Sequence, residues 1–160
     1  MGAGKTTVGR AVAEHLARTW LDSDAEIEAD TGLTVRELRD RDGVDAMHAR
    51  EATQLLHALA SPEPSVISAA ASVVEVKSCR EAMTGKDVEV IWLHASPAVL
   101  SARFASADDH RPVYGESTKG FLADQAAVRE PLAASIGARF VDVDGVSKTG
   151  AVARVVDALG

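Results

Sequence analysis

A chain of 160 residues with 46% apolar and 26% charged side chains has the make-up of one globular domain large enough for its own core. Its net charge of −7, with nothing forming a long basic stripe, argues against nucleic acid as the main partner. No apolar run reaches membrane-spanning length, the single cysteine excludes an intramolecular disulfide, and the five histidines lack metal-site spacing.

The first seven residues, Met1-Gly2-Ala3-Gly4-Lys5-Thr6-Thr7, match the back half of the phosphate-binding pattern G-x-x-x-x-G-K-[ST]. Gly2 and Gly4 let successive backbone N–H groups converge at a helix N-terminus, where a polyphosphate is held. Lys5 supplies a mobile charge for the outer phosphates and Thr6 a hydroxyl for Mg²⁺, so the stretch from Gly2 through Ala3 to Thr7 is the expected nucleotide cradle. The pattern's first glycine and the apolar strand before it would stand ahead of Met1. The expected explanation is a start placed at an internal methionine, the alternative being a truly shortened chain. If the strand is lost, a parallel sheet loses a member buried on both faces and its neighbours present unpaired edges.

From Lys5 to about Trp20, Val8, Val12, Ala13 and Leu16 recur at helical spacing. Trp20-Leu21-Asp22 reads as a strand tip, and Asp24 as the cap of a helix over 25–30 that stops at Thr31-Gly32. Thr34 and Glu37 form a capping-box pattern for a helix ending near Gly43, and a further helix carries His48, Arg50, Glu51 and Leu55 to about Ala60. Ser61-Pro62-Glu63-Pro64 breaks the pattern before the strand 65–68 and three alanines, Ala69 to Ala71. A helix is expected over 74–83 and a strand over 88–93; Pro97 opens a helix carrying Arg103. Residues 106–118 are polar and read as a mobile lid; then come a helix with Arg129, a strand over 139–143 and a last helix to Leu159. This alternation predicts an α/β fold, a three-layer α/β/α sandwich around a parallel sheet, as a single domain spanning 1–160.

Ligands of such folds gather beyond the carboxyl ends of the strands. Asp22, Asp24, Arg111 and Arg129 fall there, the kit of carboxylates and cations that phosphoryl transfer needs. Taken singly, each has a plain alternative, a helix cap for the aspartates and a solvated charge for the arginines.

With these residues in place, the chain resembles the shikimate kinases, small phosphate-loop kinases that phosphorylate the 3-hydroxyl of shikimate with MgATP. The resemblance runs through Gly2 to Arg10, Leu21 to Glu28, Thr31-Gly32, Asp42-Gly43, Arg111-Pro112 and Arg129-Glu130-Pro131-Leu132, with family-like spacing. It implies that Asp22 helps hold the Mg²⁺ water shell, and that Asp24 binds substrate hydroxyls and draws off the proton. By the same resemblance Arg103 packs on adenine, Arg111 reaches from the lid to the phosphates, and Arg129 grips the substrate carboxylate. Lys5, Asp24 and Arg111 are then the catalytic candidates.

Two departures fall together. His48 stands where the family has a second carboxylate-gripping arginine, and Ala69-Ala70-Ala71 where it has three glycines. Histidine offers a shorter reach and usually no charge at neutral pH, against the planar fork of arginine. Arg50 is no replacement, pointing about 200° away around the helix axis. Each alanine adds a methyl beside the expected substrate, Ala70 at its centre, and resists positive φ. The acceptor half is therefore altered while the nucleotide half is intact from Gly2 onward.

The expected activity is ATP-dependent phosphorylation of a small hydroxylated acid, shikimate by resemblance. The alternative is a kinase-like nucleotide-binding protein that does not use shikimate, through a different acceptor or no catalysis. A nucleotide kinase would need a base-specific pocket that the sequence does not show. The expected setting is the cytoplasm, as a monomer, with no nucleic acid or membrane partner.

Overall fold

The structure, a computed structural model, describes residues 2–105 and 118–160. Helix α1 (Lys5–His15) grows directly out of Gly4, and its buried stripe Val8, Val12 and Ala13 repeats at helical spacing. Strand β1 (Thr19–Asp22) runs into α2 (Ser23–Thr31), then α3 (Val35–Asp42), α4 (Val44–Ala60) and β2 (Ser65–Ser68). A 3-10 helix (Ala71–Glu75) precedes α5 (Lys77–Met83), β3 (Ile91–His94) and α6 (Pro97–Ala105). After α7 (Thr118–Ser135), strand β4 (Arg139–Asp142) leads to α8 (Lys148–Leu159).

The strands are parallel and form two ladders. β1 pairs with β2, Thr19 opposite Ser65 and Asp22 opposite Ser68; β3 pairs with β4, Ile91 opposite Arg139 and His94 opposite Asp142. No ladder joins β2 to β3 among the described residues. Both pairs nevertheless belong to one layer, because alternate side chains of β2 and β3 enter the same two cores. Val66, Ile91 and Leu93 pack with Val8 and Val12 of α1, Val141, and Ala151 and Val155 of α8. Ile67 and Trp92 pack on the other face with Leu55 of α4, Val73, Val74, Cys79, Met83 and Ala133 of α7. Helices thus cover both faces of the strands, and the three-layer reading holds.

Several local expectations shift. The strand expected over 88–93 begins its ladder only at Ile91, because the Val88 N–H still donates to the Gly85 carbonyl at 3.0 Å in the preceding turn. The helix expected over 74–83 is divided at Val76, which is extended (φ −88°, ψ 120°). Three β-branched residues in four, Val73, Val74 and Val76, weaken a continuous helix there. The first helix stops at His15, and Trp20 joins β1, where its Nε1–H donates to Ser68 Oγ at 3.0 Å.

Candidate functional site at the carboxyl ends of the strands

The phosphate loop is built from backbone. Gly2 and Gly4 have φ of 76° and 91°, in the left-handed region that a side chain resists. Gly4 is also the N-cap of α1, and no side chain caps that helix end or places acid in its first turn. The first-turn N–H groups and the helix dipole are therefore directed at an anion rather than at a protein carboxylate. Thr6 and Thr7 are exposed and Lys5 is half-buried. These residues fit a polyphosphate.

The loop is tied to both ladders. The Ser68 hydroxyl donates to the Lys5 carbonyl at 3.2 Å, and Ser68 lies opposite Asp22 in the β1–β2 register. On the other side Arg103 of α6 donates to the Gly2 carbonyl at 3.1 Å and to Val143 at 3.4 Å. Arg103 therefore borders the Gly2 end of the loop. Close approach of α1 to β2 requires Gly9: a Cβ there would lie 2.3 Å from Ser68 Oγ.

Asp22 is the buried cap of α2, its Oδ1 accepting the Asp24 N–H at 3.1 Å. The expected assignment of the cap to Asp24 is corrected: Asp24 sits exposed in the first turn. Among the described residues no three His, Cys, Asp or Glu side chains converge as a metal cage. A Mg²⁺ held through Thr6, Asp22 and the nucleotide's own phosphates suits that sparse donor set, since this ion keeps its waters and leans on phosphate oxygens.

The residues expected to meet the acceptor are side chains far apart in sequence. Arg129 of α7 is buried; its Nε donates to Glu75 Oε1 at 2.6 Å and its Nη1 to Gln125 Oε1 at 2.9 Å. His48 is half-buried on α4, and Glu51 lies one turn further on, only 5% exposed. Burial pushes the Glu51 carboxyl above its ordinary value; the hydroxyl donated by Ser72 and the charges of His48 and Arg129 oppose the rise, and Asp24 adds to it. His48, Glu51, Asp24 and Arg129 therefore share one electrostatic neighbourhood. Arg50 points elsewhere, into a shallow depression with Ile27, Asp30 and Gln54.

The expected backbone strain at the alanines is absent. Ala70 is extended (φ −64°, ψ 143°), and Ala17 is the one non-glycine residue with positive φ among the described residues. Three alanines suit this path without penalty, so their effect is confined to their methyl groups. Arg111 and the expected lid lie outside the described residues, except that Thr118 begins α7. Glu75, Gln125 and Ser72, the partners of Arg129 and Glu51, carry no local sequence signal, whereas Glu51 lies at helical spacing from His48.

Comparison with known proteins gives one family. The family model "Shikimate kinase" matches residues 1–160. Shikimate kinase of Symbiobacterium thermophilum is 33% identical over 161 residues, covering 99% of this chain and 91% of that protein. Shikimate kinase of Burkholderia lata is 39% identical over 133 residues, 82% of this chain and 71% of that one. Among solved structures, shikimate kinase from Acinetobacter baumannii in complex with shikimate superposes with a TM-score of 0.85 at 29% identity. That match covers 99% of this chain and 86% of that chain. With the uncapped glycine cradle, the two aspartates at the end of β1 and a buried arginine on α7 all in place, the chain belongs to the shikimate kinase family.

Proposed function

We propose that this kinase transfers the γ-phosphoryl group of ATP to a hydroxyl of a small hydroxylated acid, shikimate, giving shikimate 3-phosphate and ADP. The carrying observation is the pairing of an anion cradle at Gly2–Thr7 with a buried guanidinium, Arg129, in a fold that matches a shikimate-bound relative. Gly2, Ala3, Gly4, Lys5, Thr6 and Thr7 hold the phosphates, and Arg103 lies beside the adenine. Thr6 and Asp22 would hold Mg²⁺, which neutralises charge on the phosphates when bound.

Asp24, exposed in the first turn of α2, orients the acceptor hydroxyl and takes its proton as the oxygen attacks phosphorus. The bond from the γ-phosphorus to its bridging oxygen breaks, and Lys5 with Arg111 offsets the charge moving to ADP. Arg129 and His48 hold the acceptor, Arg129 through its carboxylate, with Ala70 beneath. His48 cannot reproduce a second ionic fork, and Arg129 already bears a carboxylate partner. Those two observations support a second reading, in which the same kinase works on an acceptor other than shikimate.

No described helix is long and apolar enough to cross a membrane, and Cys79 is a buried free thiol. The test is coupled ADP release with MgATP and shikimate up to millimolar levels. Saturable, shikimate-dependent turnover is expected; ATP binding without it would remove shikimate from the reading.

A further inference from the structure

Resting on that reading of the acceptor site, we propose that Glu75 is a specificity-determining counter-ion, which the acceptor's carboxylate must displace from Arg129. The geometry of the pair is lopsided. The Arg129 side chain is 8% exposed and fixed on α7, with Gln125 one turn earlier holding its Nη1. Glu75 is the last residue of the 3-10 helix and its side chain is 40% exposed. The cation cannot leave, whereas the carboxylate can turn out into water with little further solvation to regain.

An incoming carboxylate therefore docks by exchange, one anion for another on the same guanidinium. Docking without exchange would crowd a second carboxylate beside Glu75 on a single buried cation. The exchange sets a threshold. A neutral polyol has no charge with which to replace Glu75, and a carboxylate placed too far from the transferring hydroxyl cannot replace it and react at once. Glu75 thus weakens every acid acceptor while favouring those whose carboxylate fits the fork.

Two variants separate this role from a merely structural one. Glu75→Gln keeps an oxygen acceptor for Arg129 Nε but removes the charge; Glu75→Ala removes both. Exchange requires both variants to lower KM for shikimate about tenfold while kcat and KM for MgATP stay within about twofold. Without acceptor, both should melt lower than the parent, because a buried guanidinium has lost its counter-charge, and shikimate should raise their melting temperatures by more than it raises the parent's. If Glu75 only positions Arg129, Glu75→Gln will keep the parent KM and Glu75→Ala will raise it. That pattern overturns the proposal while leaving shikimate as acceptor. Calorimetric titration with shikimate alone closes the remaining case. Binding to the variants but not to the parent supports exchange, and no binding to any of the three removes the acid acceptor and the exchange with it.

Discussion

The N-terminus of α1 and the floor beside α4 and α7 bind charge by opposite means. At α1 the binding groups are backbone N–H donors, fixed by the positive φ of two glycines and left without any side-chain cap. Beside α4 and α7 they are side chains, and each is already engaged: Arg129 by Glu75 and Gln125, Glu51 by Ser72. A backbone cradle depends on a few consecutive residues and tolerates change elsewhere. A side-chain site depends on partners 21 and 54 positions away, so single replacements such as His48 alter its charge balance at once. One half of this enzyme is conservative by construction, and the other is adjustable.

The largest test of that contrast is Lys5→Met. Lys5 is the lysine of the cradle, so phosphoryl transfer should fall by about a thousandfold or more while the fold, read by circular dichroism, is retained. Turnover within tenfold of the parent would place the chemistry somewhere other than the loop. A smaller effect, in the opposite direction, is expected on the adjustable side. His48→Arg restores a second fork and should lower KM for shikimate about tenfold. Adding Ala70→Gly should bring little more, since Ala70 has an ordinary extended backbone and a glycine would only loosen it. A steady-state comparison of the two variants decides this; a large gain confined to the double variant would make the methyl group, not the lost fork, the dominant change.

The smallest effect is a pH dependence. Burial raises the Glu51 carboxyl above its ordinary value, so the folded state binds its proton more tightly than the unfolded state does. The stability this confers is full below the ordinary glutamate value of about 4.3 and is lost as pH rises through the folded value. Glu51→Gln, which keeps a partner for Ser72, should therefore lose less stability than the parent over that rise. Melting curves from pH 4 to 8 should separate by about 2–4 °C, the variant gaining with pH. Parallel curves would mean that His48 and Arg129 fully offset the burial.

Sequence patterns reported the conservative half well. Gly2, Gly4 and the Thr34–Glu37 capping box act within a few residues, where spacing alone carries the geometry; the box is present, with the Thr34 N–H donating to Glu37 at 2.8 Å. The resemblance added Arg129 and Arg103; Arg103, expected to pack on adenine, donates to the Gly2 carbonyl of the loop. What escaped was pairing across the fold. Glu75 sits at the end of a 3-10 helix between β-branched valines, where a continuous helix was expected, and no local pattern sends its carboxylate to α7. The cap of α2 fell to Asp22 and not to Asp24 for a similar reason: either can cap a helix, and the entry of β1 decides which does.

The two ladders have a mechanical consequence. β2 and β3 share no ladder, yet Val8 and Val12 of α1 pack in one cluster with residues of both. The helix that carries the phosphate loop therefore touches both ladders. A ligand that immobilises Gly2 to Thr7 would stiffen both through α1, so that backbone amides of β1–β2 and β3–β4 would gain hydrogen-exchange protection together on adding MgATP. Protection confined to α1 would show the two halves opening independently. In such a molecule the nucleotide is a fastener as much as a reactant.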